Sequence, residues 1–68
     1  MEHVFERIRA ALPAARAEAS KTGSISPLWD VIFDAEAILS NKPTLMKGSR
    51  DDVAIAMANH LAKYTNQP

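Results

Sequence analysis

Cysteine is absent from this 68-residue chain, and the only histidines are His3 and His60. The chain therefore forms no disulfide, and a structural zinc site would lack its usual set of cysteine and histidine ligands. We expect no metal and no cofactor. A chain this short buries only about 60% of the surface that it exposes when unfolded, which leaves its stability marginal. Self-association is the remaining way to add buried surface, and we expect a homodimer.

Excess charge and long apolar runs are also missing. Eight acidic residues balance eight basic ones, so the formal net charge is zero and no overall attraction to nucleic acid or anionic membranes results. The N-terminal sequence MEHVFERIR mixes charged and apolar residues, which predicts neither a signal peptide nor a membrane span. We therefore expect a cytoplasmic protein without membrane association. With 47% hydrophobic residues, the chain is typical of a globular protein rather than a disordered one.

Hydrophobic spacing predicts an all-α fold. In the first helix, the apolar residues from Val4 to Ala19 share an arc of about 120° on a helical wheel. Pro13 removes a backbone donor within this helix, but the arc keeps its phase on both sides, which favours a kink over a break. The second helix is expected to be central and to form a helical hairpin with the third. The prediction is one domain, residues 1–68, with three helices at 2–21, 27–41 and 50–65.

Residues with known capping preferences predict where these helices begin and end. Ser26 followed by Pro27 fits an N-cap with proline in the first helical position. Ser49 is the expected N-cap of the third helix. Gly23 suits the left-handed conformation that ends many helices. In the connector before Ser49, Leu45 and Met46 are expected to fold back onto the helices.

The segment from Ser26 to Leu39, SPLWDVIFDAEAIL, has more large apolar residues than one helical face can bury. Trp29 and Phe33 fall together on a face of their own, separated from the main apolar arc by Glu36. Two interpretations stay open at this point: the aromatic residues complete the core under a crossing helix, or they form an exposed contact surface, where aromatics are enriched. The main arc consists of Leu28, Val31, Ile32, Ala35, Ile38 and Leu39.

Other candidate contact residues lie on all three predicted helices. Ile55 projects away from the buried face of the third helix and hints at a second contact surface. Asp30 and Asp34 are four residues apart on the polar side of the second helix, where we expect them to be solvated. On the first helix, Arg9 and Arg16 complete the set of charged residues that would orient a partner.

Three other functional classes have weaker support from the sequence. Catalysis by His60 would need a nucleophile or an orienting acid that the spacing does not supply. A divalent cation on Asp30 and Asp34 would need a binding loop that the sequence lacks. A small nucleic-acid-binding regulator, using basic helix 1 and the connector at 42–50, is the main alternative, although the third helix opens with two aspartates that would face phosphates. The basic residues in question are Arg7, Arg9, Arg16, Lys42, Lys47 and Arg50.

The sequence therefore predicts a small non-enzymatic regulator that inhibits or sequesters a larger regulatory protein. In this hypothesis an apolar and aromatic helical face supplies affinity, and charged side chains set orientation. The size and plain composition are typical of small bacterial or phage regulatory proteins. The predicted protein-binding residues are Trp29, Phe33, Ile55, Asp30, Asp34, Arg9 and Arg16.

Overall fold

The longest helix, α1 (Glu2–Thr22), continues through Pro13. Pro13 is exposed, so the carbonyl that loses its helical donor can be hydrated instead. The prediction of one helix rather than two is confirmed, and the kink stays a prediction. The computed structural model describes residues 2–23 and 26–65, and the remaining positions of the predicted 1–68 domain lie outside the described residues. In the described part, α1 is followed by α2 (Leu28–Leu39), α3 (Arg50–His60) and α4 (Ala62–Thr65).

Polar side chains and left-handed residues lie at the helix ends. The predicted N-cap at Ser49 is confirmed, whereas α2 begins at Leu28 with Pro27 rather than Ser26 in the N-cap position. The Ser26 Oγ accepts the N–H of Leu28 at 3.2 Å, and the Ser49 Oγ accepts the N–H of Asp52 at 3.1 Å. Gly23, with φ +93°, follows the last turn of α1. These contacts satisfy backbone groups that a helix end would otherwise leave unpaired.

Helix α2 ends two residues before the predicted boundary. Asn41 adopts the left-handed conformation, with φ 57°. The N–H of Lys42 then donates to the carbonyl of Ala37 at 2.8 Å, and the N–H of Asn41 donates to that of Ile38 at 3.3 Å. This pair of bonds is the Schellman ending, with asparagine in the position that glycine usually holds.

The prediction of a single third helix over 50–65 is wrong. Leu61 leaves the helical conformation, with φ −95° and ψ 4°, so that α3 ends at His60 and α4 is a separate turn of helix. Leu61 is fully buried, and Tyr64 of α4 is buried with it. The turn thus lets the end of the described chain pack against α1.

The core lies around α1, which packs against α2, α3 and α4. The expectation of a central second helix is therefore wrong, because among the described helices α2 packs against α1 and α3 and not against α4. Small residues allow the helices to approach closely, and the close packing leaves five core alanines with no exposed surface. These alanines are Ala11, Ala15, Ala19, Ala35 and Ala54, and the large core residues are Ile8, Leu12, Ile32, Ile38, Val53, Met57, Leu61 and Tyr64.

Candidate protein-binding face

The two aromatic residues of α2 have different environments. Trp29 is partly buried against the core, and its indole Nε1–H donates to the carbonyl of Gly23 at 2.9 Å. Phe33, one helical turn later, is 52% exposed. The core interpretation therefore fits Trp29 and the exposed interpretation fits Phe33.

Asp34 is the one buried charged residue among the described positions, with only 3% of its surface exposed. Its two carboxylate oxygens accept backbone N–H groups from the connector between α2 and α3: Oδ1 from Leu45 at 2.6 Å and Oδ2 from Met46 at 2.9 Å. The expectation of a solvated Asp34 is wrong, because the connector folds over this carboxylate. A negative acceptor makes stronger hydrogen bonds than a neutral one, so Asp34 holds the connector on α2.

Leu45 and Met46 are 61% and 44% exposed. The expectation that their side chains fold back onto the helices is wrong, because Asp34 binds their backbone and leaves the side chains outside. The Thr44 Oγ1 hydroxyl donates to the carbonyl of Met46 at 2.7 Å and fixes the turn further. The sequence analysis did not place these two residues among the candidate binding residues. The signal that could have found them is the position of Asp34, a carboxylate at the border of the apolar arc of α2.

Phe33 and Leu45 lie together on the surface, and the exposed Met46 follows Leu45 directly in the chain. A shallow hollow of about 320 Å³ is lined by Trp29, Phe33 and Leu45, with Asp30 at its edge. We call the surface formed by Trp29, Phe33, Leu45 and Met46 the Phe33 face. Large apolar side chains that lie together on a surface are the usual mark of a contact site, whereas isolated ones are common on any protein.

A larger groove lies on the other side of Phe33, between α1 and the C-terminal half of α2. Its volume is about 480 Å³. An ion pair between Arg16 of α1 and Glu36 of α2 lies at this groove. Both partners of that pair are partly exposed, so it contributes little to stability and mainly shapes the groove. The apolar part of the lining is Leu12, Phe33, Ala37, Leu39 and Pro43.

Two predicted site residues lie apart from the Phe33 face. Ile55 is 44% exposed on α3 and lines neither of the two cavities beside Phe33. Arg9 is exposed and lines a different hollow with Glu6 and Arg50. The structure thus brings Asp30 and Arg16 close to Phe33, and leaves Ile55 and Arg9 elsewhere.

Two of the basic side chains, Arg50 and Arg16, have partners within the chain. Arg50 donates from Nη2 to the carbonyl of Ile38 at 3.0 Å, and its guanidinium lies 4.6 Å from the centre of the Phe5 ring. Arg16 is paired with Glu36. The Arg50 contacts join the start of α3 to α1 and α2, and the Arg16–Glu36 pair joins α1 to α2.

The described residues contain no group of three or more histidine, cysteine, aspartate or glutamate side chains placed to hold a metal ion. His60 is exposed and lines a hollow with Glu18 and Tyr64.

Within 2–23 and 26–65, no helix has both the length and the apolar character needed to cross a membrane. Comparisons with protein-family models, with curated proteins and with solved structures find no match. The surface of this chain is therefore what indicates a function.

Proposed function

We propose that this protein is a non-enzymatic binding module that recognises another protein through the Phe33 face. The observation that supports the proposal is that two large exposed apolar side chains, Phe33 and Leu45, line one hollow, and that Met46, the next residue in the chain after Leu45, is exposed as well. Aromatic residues and methionine are enriched at protein interfaces, and methionine adapts easily to the shape of a partner.

The buried carboxylate of Asp34 adds to this support. Because it binds the backbone amides of Leu45 and Met46, the connector presents its apolar side chains from a fixed position. A surface that is ordered before binding loses less conformational entropy when the partner arrives. We infer that Asp34 contributes to binding by positioning, whereas the exposed Asp30 at the edge of the face contributes to orientation.

The concrete form of the proposal is a small cytoplasmic regulator that inhibits or sequesters a larger regulatory protein, and that forms a homodimer when this partner is absent. Its affinity would come from the apolar side chains of the Phe33 face. Its association rate and specificity would come from the charged edge, where Asp30 and the Arg16–Glu36 pair lie.

The nucleic-acid alternative has less support. Binding to phosphates needs basic side chains that are free and that share one surface. Two of the six basic residues are already engaged within the chain: Arg16 is paired with Glu36, and Arg50 contacts Phe5 and the carbonyl of Ile38. The exposed aspartates of the first turn of α3 lie next to Arg50 in the chain and would repel a phosphate backbone.

Photo-crosslinking tests the proposed function without knowledge of the partner. A benzophenone side chain replaces Phe33 in one variant and Ala17 in a matched control. Ala17 is exposed on the side of α1 opposite the core. In lysate of the source cells, we expect the position-33 variant to form a discrete adduct with another protein and the position-17 variant to form none. Equal labelling at both positions, or labelling of nucleic acid alone, would contradict the proposal.

A further inference from the structure

The exposed Phe33 ring and a groove that could receive such a ring lie side by side on α2. Phe33 is exposed on α2, and the lining of the groove next to it includes the small residues Ala37 and Ser40 of the same helix region. We propose that this groove takes the Phe33 side chain of a second copy of the chain, with the two α2 helices packed antiparallel. This inference rests on the proposed function, because it requires the Phe33 face to be a protein-binding surface.

A two-fold axis makes the contact reciprocal. In such an interface each residue that contacts a position on the partner is contacted by the same position in return. Phe33 and Ser40 are seven residues apart, which is about 10.5 Å along a helix and nearly two full turns. An axis close to Glu36 and Ala37 therefore places each Phe33 over the partner's Ala37 and the partner's Ser40. Both aromatic rings enter grooves at once.

The charges along α2 favour the same arrangement. Asp30 lies in the first turn of α2, and Lys42 lies just beyond its end, twelve residues later. Antiparallel packing about an axis near Glu36 brings each Asp30 towards the partner's Lys42. Among the described residues neither Asp30 nor Lys42 has an ion-pair partner in its own chain. Two intermolecular pairs thus become available at the ends of the contact.

The centre of this contact also has to accommodate two negative side chains. Glu36 lies near the axis, and so does the partner's Glu36. Each of them is already paired with Arg16 of its own chain, so the opposing carboxylates are compensated. Two-fold pairing with an identical surface requires a particular order of residues along α2. That order is present: Asp30 at one end, then Phe33, then the small residues Ala37 and Ser40, and Lys42 at the other end.

Light scattering and sedimentation over a wide range of protein concentrations test this proposal. We expect a wild-type dimer, and a Phe33→Asp variant that keeps its helical circular-dichroism spectrum while its dimer dissociation constant rises about 30-fold or more. Ile55→Asp is the matched control, since it places the same charge on an exposed apolar residue away from the groove. We expect that control to dimerise as the wild type does.

Charge reversal tests the antiparallel arrangement itself. At low salt, we expect Asp30→Lys and Lys42→Glu each to raise the dissociation constant about 5-fold, because each creates two like-charge contacts per dimer. The double variant should regain the wild-type value.

A wild-type monomer at every concentration would overturn the dimer, as would a dimer that survives Phe33→Asp. A double variant weaker than both single variants would overturn the antiparallel pairing. A monomer that still forms a position-33 adduct with a different protein would leave the proposed function intact.

Discussion

The two connections that flank α2 are both held by side chains of α2, but by opposite chemistry. Before α2, the indole N–H of Trp29 donates to the carbonyl of Gly23 at 2.9 Å. After α2, the carboxylate of Asp34 accepts the backbone N–H groups of Leu45 and Met46. In the first connection a side-chain donor of α2 binds a backbone carbonyl, and in the second a side-chain acceptor of α2 binds backbone amides.

As a result, the apolar side chain at the first connection is partly buried, whereas those at the second connection are exposed. Trp29 makes its hydrogen bond with the ring edge while its body packs against the core, so the contact partly buries an aromatic ring. Asp34 engages only the backbone of the connector and leaves Leu45 and Met46 exposed. A backbone tether of this kind lets a small protein expose large apolar side chains while the loop that carries them keeps a fixed conformation.

Loss of the Asp34 tether should have the largest effect on this comparison. We expect Asp34→Ala to lower the free energy of unfolding by about 2–3 kcal/mol, because two hydrogen bonds to a charged acceptor disappear while water partly replaces them. Urea unfolding measures this loss. Asp34→Asn retains one oxygen acceptor and should lose about half as much.

Asp30→Ala is the matched control, because it removes an exposed carboxylate one turn earlier on the same helix. Amide hydrogen exchange at Leu45 and Met46 should accelerate in Asp34→Ala and stay unchanged in Asp30→Ala. Equal losses of stability in the two variants would mean that Asp34 acts only through its charge and not as a tether.

The tether at Trp29 should matter less. Trp29→Phe keeps an aromatic ring against the core but removes the bond to Gly23, which lies in an exposed setting. We expect a loss of about 1 kcal/mol in the free energy of unfolding, again measured in urea. Phe33→Leu, which shortens an exposed aromatic on the same helix, should change stability less. A larger loss for Phe33→Leu than for Trp29→Phe would reverse the assignment of the two aromatics.

Removal of the displayed side chains should affect stability least. Leu45→Ser combined with Met46→Ser retains both backbone amides, so the bonds to Asp34 can persist. We expect the free energy of unfolding to change by no more than about 0.5 kcal/mol, whereas the position-33 photo-crosslink should weaken. If the double variant unfolds as readily as Asp34→Ala, the connector side chains belong to the core and the Phe33 face is misassigned.

Local rules were enough to predict most of the helical architecture. The all-α class follows from the 3.6-residue spacing of apolar residues, and the start of α3 follows from Ser49, whose hydroxyl accepts the N–H of Asp52. The start of α2 is one residue later than predicted, although the Ser26 hydroxyl does accept the N–H of Leu28. The turn at Leu61 could not be predicted this way, because Met57, Leu61 and Tyr64 keep helical spacing across it. The long-range packing of α4 against α1 decides that position.

The candidate face was only partly predictable for a similar reason. An excess of apolar residues on α2 indicated a surface such as the one at Phe33, but the wheel placed Asp34 on the solvated side because it contains no information about a connector eleven residues later. Leu45 and Met46 depend on that same contact. Hydrogen bonds between distant segments are set by the fold, and spacing within one helix does not reveal them.

The central claim is that Phe33 serves binding and not folding. The most direct test measures the stability and the association of a Phe33→Ser variant. Urea unfolding at a concentration too low for association gives the stability, and the solution mass at high concentration gives the association. We predict a free energy of unfolding within about 0.5 kcal/mol of the wild type together with loss of association. A variant that loses several kcal/mol of stability, or one that is stable and still associates as the wild type does, would contradict the claim.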